Sequence, residues 1–235
     1  MGRHCIKSRN GGLISYKKSK AKELVNSANK ISCLTKELNI SLEIPDYLNV
    51  NNVITVECIK ASKVDVAVVD ELMQLLQENM QSLYISSSWG WNAEAKRAEA
   101  FSSKSWLIIC RCQTSESQSI AGFVSFRFEC EEEHPVLYCY EIQLYPQFRH
   151  LHIGTFLMNL LLSISLALNM HRVMLTVFKS NKSANKFFEK LGFETDETDP
   201  SMFKGVKTVD YRILSKLTFK ENLNSGSQFA TSLQT

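Results

Sequence analysis

Tyr138-Cys139-Tyr140-Glu141-Ile142-Gln143-Leu144-Tyr145-Pro146 runs directly into Gln147-Phe148-Arg149-His150-Leu151-His152-Ile153-Gly154. The first half predicts a buried strand. Val136, Leu137, Tyr138, Tyr140, Ile142 and Leu144 supply its β-branched and aromatic bias, and Pro146 ends it. The next apolar run, Ile153 to Leu168, predicts a helix, because Phe156, Leu157, Leu160, Leu161, Ile164 and Leu168 recur at helical spacing. A strand bearing one carboxylate, Glu141, therefore feeds a short basic loop that opens a long helix. Free backbone N–H groups at a helix start bind anions. A carboxylate one strand from such a cradle makes this stretch the candidate reaction centre.

Around it, 235 residues with 44% hydrophobic and 22% charged side chains predict one soluble domain with extensions. No apolar run has the length of a membrane span; residues 153–168 come nearest, interrupted by Thr155, Asn159, Ser163 and Ser165. Seven cysteines fit no zinc spacing, so no metal is expected and the compartment is a reducing one, cytoplasm or nucleus. Residues 1–22 hold seven basic side chains and no acid, which leaves the remainder at a net charge of −4. Such an arm suits RNA, the ribosome or nuclear import, or is simply solvated, and the acidic body suits a cationic substrate. Met1-Gly2 opens an acylation pattern that Ile6 breaks, so myristoylation is not expected.

In chain order, residues 1–17 read as a basic disordered arm and 18–51 as a helix plus linker. The helix stripe is Leu24, Ala28, Ile31, Leu34 and Leu38. A catalytic domain over 52–219 and a disordered tail over 220–235 follow. Asn52–Ala61 predicts a strand and Asp65–Tyr84 a helix ending at Ser86-Ser87-Ser88-Trp89-Gly90-Trp91. Those tryptophans either cap the core or, with Tyr84, wall a pocket. Asn92 caps a short helix to Ala100. Strands at Trp106–Cys112, Ala121–Phe128 and Val136–Tyr145 form a meander with turns at Gln113–Ser119 and Glu129–Pro135. After the long helix come a strand at Val173–Phe178, a helix at Ser183–Leu191, a strand from Phe193 and a last strand at Val209–Leu214.

This order resembles the GNAT acyl-CoA N-acyltransferase fold: α+β, a mixed, mostly antiparallel central sheet flanked by helices, here with an extra N-terminal helix. The loop Arg149-His150-Leu151-His152-Ile153-Gly154 is similar to that family's Arg/Gln-x-x-Gly-x-Gly/Ala loop, with His152 where the first glycine stands. Met80-Gln81-Ser82-Leu83-Tyr84, Trp89-Gly90-Trp91, Val136-Leu137-Tyr138-Cys139-Tyr140-Glu141, Val173 to Lys179, and Pro200-Ser201-Met202 followed by Tyr211 resemble the N-terminal acetyltransferase D (NatD) family of histone N-α-acetyltransferases. The resemblance implies transfer of acetyl from acetyl-CoA to the α-amine of a Ser-Gly-Arg-Gly-like N-terminus, with histone tails as partners. It implies Glu141 as the catalytic carboxylate, and Tyr84, Trp89, Glu129, Tyr138, Tyr140, Thr176 and Tyr211 around the substrate. It places acetyl-CoA along Ile142, Gln143 and Leu144, the loop Arg149, His150, Leu151, His152, Ile153, Gly154 and Thr155, and Asn181. A monomer shared between cytoplasm and nucleus is expected.

The chemistry is consistent with these residues. An α-amine of pKa ~7.7–8.0 must lose a proton before attacking a thioester, and a strand carboxylate can take it. Tyr140 and Tyr211 are both candidates to protonate the leaving thiolate. Cys139 is expected to be structural, since direct transfer needs no acyl-enzyme. On a regular strand Tyr138 and Tyr140 face one side and Glu141 the other, so a shared site requires a bulge or splay. Two readings compete: a GNAT that acetylates lysine or a small amine, and a weakened homologue that only binds tails.

Overall fold

The computed structural model describes residues 11–45, 53–113, 117–205 and 208–218. Strands β1 (Val53–Lys60), β2 (Trp106–Gln113), β3 (Gln118–Glu131), β4 (His134–Leu144), β5 (Arg172–Phe178), β6 (Glu194–Thr195) and β7 (Tyr211–Leu217) form one sheet ordered β1-β2-β3-β4-β5-β7-β6. Every neighbouring pair is antiparallel except β4–β5, which is parallel. This is the expected mixed α+β sheet. The helices are α1 (Gly11–Lys30), α2 (Leu34–Leu38), α3 (Val66–Ile85), α4 (Ala93–Ala100), α5 (Ile153–Ala167) and α6 (Lys182–Lys190). Among the described residues no helix is long and apolar enough to cross a membrane. Residues 1–10 with Gly2, part of the linker, and the 220–235 tail lie outside the described residues.

The strand period sorts two cores onto opposite faces. On β2, Trp106, Ile108, Cys110 and Cys112 join α5 (Leu157, Leu161, Ile164), Ala28 of α1 and Leu34 of α2. Leu107 and Ile109 instead meet Leu72, Leu75 and Leu76 of α3, together with Phe123 of β3. Helix α3 and the helix that carries the anion loop therefore clamp β4 from opposite sides.

Three boundaries differ from expectation. The first helix begins at Gly11, within the stretch expected to be disordered, and breaks after Lys30 rather than continuing to Leu38. Glu37 Oε1 accepts from the N–H groups of Ser32 and Cys33, which caps a separate α2 and lets Leu34 drop fully into the core. The β3–β4 turn is two residues, Glu132 and Glu133, both at positive φ (46° and 87°), rather than the seven from Glu129 to Pro135. Strand twist selects that turn geometry even without the usual Asn-Gly. Glu129 consequently lies inside β3, opposite Val136. The last strand starts at Tyr211 and extends to Leu217, in register with all of β5.

Two irregularities shape β4. Ser125 pairs with Glu141 but Phe126 pairs with Cys139, so Tyr140 is an extra residue, a β-bulge. The bulge switches side-chain parity. Leu137 and Cys139 face the α5 core, and beyond the bulge Ile142 and Leu144 face it. Tyr138, Glu141 and Gln143 take the other face. In addition, β4 pairs with β5 only from Val136 to Cys139, after which the two strands part. Gly122, opposite Leu144, lets β3 lie so close to this end of β4 that a Cβ there would collide with the Gln143 carbonyl oxygen.

Candidate active site

The gap between β4 and β5 opens into a cleft of ≈ 180 Å³ lined by Tyr84, Trp89, Lys96, Tyr138, Tyr140 and Glu141, among others. That is below the ~300 Å³ at which drug-sized ligands are held, and it suits one small residue. The bulge at Tyr140 is what puts Glu141 on the same face as Tyr138, so the shared site follows from the strand defect anticipated above.

Glu141 is 5% exposed and does not stand alone. Its Oε1 lies 2.5 Å from Lys96 Nζ, and its Oε2 accepts from Gln143 Nε2 at 2.9 Å. Lys96 is 8% exposed and also meets Glu99 at 2.7 Å, with its ammonium 5.0 Å from the centre of the Tyr84 ring. Burial works to lower the Lys96 pKa, but Glu141, followed by Tyr84 and Glu99, outweighs it, and the pKa rises above the ordinary lysine value. The ammonium stays charged. Lys96 was not anticipated, because nothing in the sequence marks the inward face of its helix. It stands one turn before Ala100, which is fully buried, so i,i+4 spacing puts both on one helix face. Asn92 fixes that helix, its Oδ1 accepting from Ala95 N–H at 2.9 Å.

The aromatic wall is continuous. Tyr84 packs edge-on against Phe178 (4.9 Å between centroids), Trp89 against Phe178 (5.4 Å), and Trp89 against Tyr211 (5.0 Å). Tyr211 therefore backs Trp89 from behind and does not line the cleft. Asp210 anchors the Trp89 loop, accepting from Ser88 N–H at 2.6 Å and Ser88 Oγ at 3.2 Å. The Ser88 N–H holds the Asp210 carboxyl below its usual range, so the anchor is intact at neutral pH. Tyr138 and Thr176 join hydroxyls at 2.6 Å across the mouth of the gap. Burial, and then the Glu141 charge, keep Tyr84 protonated.

Glu129 stands outside the cleft lining and reaches it through Tyr140, whose hydroxyl donates to Glu129 Oε1 at 2.6 Å. Arg127 stacks 4.3 Å over the Tyr140 ring, and its Nη1 lies 3.9 Å from Glu129. Cys139 is buried, and burial followed by the Glu141 charge pushes its thiol far above the ordinary range, the opposite of an activated nucleophile.

Ile142, Gln143 and Asn181 line the cleft; Leu144 and the loop Arg149–Thr155 stand beside it. Asn181 Oδ1 caps α6 by accepting from Ala184 N–H at 3.1 Å. The start of α5 has no side-chain cap. Its opening N–H groups face an exposed loop of His150, Leu151 and His152, as an anion cradle requires. Both His150 (φ 62°) and His152 (φ 60°) are left-handed, so His152 holds the glycine-type backbone of the motif it interrupts. Gly154 is needed for packing: a Cβ there would meet the Phe187 ring at 3.2 Å. The residues present fit a diphosphate. Among the described residues no cluster of His, Cys, Asp or Glu is grouped to hold a metal.

The sequence profile of the Acetyltransferase (GNAT) family matches residues 69–193, more than half of the chain. Arabidopsis thaliana NAA60 in complex with a bisubstrate analogue superposes with a TM-score of 0.53 at 12% identity, over 70% of this chain and 99% of that one. An acetyltransferase of the GNAT family from Staphylococcus aureus Mu50 superposes with a TM-score of 0.51 at 12% identity, over 70% and 100%. At those identities the likeness is one of fold. The profile spans α3, the bulged β4, the parting of β4 from β5 and the uncapped start of α5, and on that match the chain belongs to the Acetyltransferase (GNAT) family.

Proposed function

We propose that this protein is an N-α-acetyltransferase that moves acetyl from acetyl-CoA to the α-amine of a Ser-Gly-Arg-Gly-like N-terminus, with histone tails as its substrates in cytoplasm and nucleus. The observation that carries the reading is the small aromatic-walled cleft with a buried carboxylate, Glu141, in its lining; the other carboxylate there, Glu99, is half-exposed and paired with Lys96. A closed cage around one small residue suits an N-terminus, and an open groove would suit an internal lysine. Glu129, beside Tyr140 at the rim, is the carboxylate assigned to the peptide's arginine. The seven basic residues among positions 1–22, four of them in α1, are assigned to RNA or ribosome contact.

In this reading Glu141 accepts the proton released by the amine, directly or through one water. The amine nitrogen forms the C–N bond, the thioester C–S bond breaks, and the thiolate takes a proton. Of the two tyrosine candidates Tyr140 lines the cleft and Tyr211 does not, so Tyr140 is assigned as that donor, its hydroxyl oriented by Glu129. Arg149 and the α5 amides hold the diphosphate of the acetyl donor, the family's source of the activated acyl group.

The deciding experiment mixes purified protein, acetyl-CoA and a Ser-Gly-Arg-Gly peptide carrying an internal lysine, and locates the acetyl group by tandem mass spectrometry. Label on the α-amine is expected; label on lysine alone, or none, overturns the reading.

The left-handed histidine yields a separate prediction. His152→Gly removes a backbone cost of roughly 1–2 kcal/mol while adding glycine's chain entropy of about 0.5–1 kcal/mol. The net gain is at most about 1.5 kcal/mol, so the melting midpoint should rise by no more than about 3–6 °C. Acetyl-CoA should bind several-fold tighter by calorimetry, since no β-carbon then stands beside the phosphates. Weaker binding instead would assign the phosphate contact to the imidazole.

A further inference from the structure

Four side chains connect the anion loop to the buried carboxylate in one directed line. Arg149 Nη2 donates to Asn79 Oδ1 at 2.6 Å. Asn79 Nδ2 donates to Gln143 Oε1 at 3.0 Å and to the Leu144 carbonyl at 3.2 Å. Gln143 Nε2 donates to Glu141 Oε2 at 2.9 Å. Arg149 Nε also donates to the Leu144 carbonyl, at 3.2 Å. The line runs from an exposed guanidinium, through the half-buried Asn79, to Gln143 and Glu141, which are 7% and 5% exposed. Lys96 closes it from the other side of Glu141.

Each amide has one workable orientation. Turning the Gln143 amide would set its carbonyl oxygen against the Glu141 carboxylate and its NH₂ against that of Asn79. Turning Asn79 would set its NH₂ against Arg149 and its oxygen against those of Gln143 and Leu144. Both reversals put like partial charges together in a water-poor site, where that is costly. The orientation of Gln143, and with it the donor on Glu141, is therefore set by Asn79, and that of Asn79 by Arg149. Arg149 belongs to the loop where the diphosphate is assigned.

We propose that Asn79 is a positioning residue that transmits occupancy of the Arg149 loop, through Gln143, to the Glu141 carboxylate. An anion on the loop shares the Arg149 guanidinium, changes its bond to Asn79 and so adjusts how firmly Gln143 holds Glu141. The catalytic carboxylate is thereby set when the nucleotide is in place. The inference rests on the acetyl-CoA reading above and adds a residue of α3 that stands outside the cleft lining.

Two measurements test it. The first uses 3′-phosphoadenosine 5′-diphosphate, the nucleotide end of coenzyme A without the arm that enters the cleft. Its addition should shift the Gln143 side-chain NH₂ resonances of the wild-type protein, and Asn79→Leu, of similar volume, should abolish the shift. An equal shift in Asn79→Leu, or none in the wild type, overturns the proposal, whichever amine the enzyme acetylates. The second is kinetic. Asn79→Leu should lower kcat about tenfold, as misplacement of a reacting group does, with peptide KM changed less than about twofold. In a Glu141→Gln background the same substitution should cost almost nothing, because its route of action is gone. An equal loss in both backgrounds marks Asn79 as merely structural and overturns the proposal. If the wild type acetylates no peptide while the resonance shift obeys the first test, the coupling stands and the functional reading falls.

Discussion

Glu141→Gln should lower turnover of an N-terminal peptide at least about tenfold, against a general-base contribution of ~10²–10⁴. The substitution keeps the shape of the side chain and the bond to Gln143 can re-form, but the amide cannot accept the amine's proton. Because Lys96 then loses its closest anion, the same change bears on folding. Glu99, 2.7 Å from Lys96, supplies a second partner and limits that effect. Thermal unfolding of the variant, measured beside the kinetics, keeps the two apart. A folded Glu141→Gln protein with wild-type turnover would remove Glu141 from the base role. A folded protein with peptide KM preserved and kcat reduced is the expected result.

How far this site could be read from the chain depends on whether its determinants are local. The identity of β4 was legible because Val136, Leu137, Ile142 and Leu144 carry the apolar signature of a strand between two layers. The side on which Glu141 faces was not. It depends on Ser125 and Phe126 skipping one residue on the neighbouring strand, and neither residue carries a mark that says so. Lys96 was hidden for a related reason. The segment Ala93-Glu94-Ala95-Lys96-Arg97-Ala98-Glu99-Ala100 reads as a solvated helix, and only the burial of Ala100 reveals which face turns inward. The turn at Glu132-Glu133 lacks the Gly or Asn that announces a two-residue hairpin, and so Glu129, expected at the strand edge where the turn begins, lies inside a strand. The start of α5 at Ile153 was legible, because a contiguous apolar run follows the Arg149–His152 loop. Only the left-handed backbone of its two histidines needed coordinates.

Removal of Lys96 should be the most disruptive single change in the cleft. Lys96→Met fills nearly the same volume but leaves a carboxylate that is 5% exposed with no opposing charge. Breaking one partner of a buried pair costs ~3–5 kcal/mol, because the remaining ion has lost both water and counterion. For a chain of this size each 1 kcal/mol moves the melting midpoint by about 2–4 °C, so a fall of roughly 6–20 °C is expected by thermal scan. Activity should fall with stability, because the carboxylate has lost the ammonium that fixes it in the cleft. The double variant Lys96→Met with Glu141→Gln separates the causes. It buries no unpaired charge, so it should regain most of the lost midpoint while staying as inactive as Glu141→Gln alone. If the double variant is no more stable than Lys96→Met, the penalty is one of packing, and the ion pair is not what holds this side of the cleft together. If Lys96→Met melts with the wild type and turns over normally, the 2.5 Å pair contributes neither to stability nor to turnover. The expected pattern would establish that α4, a helix with no direct role in the chemistry, supplies the charge that holds the buried carboxylate in place.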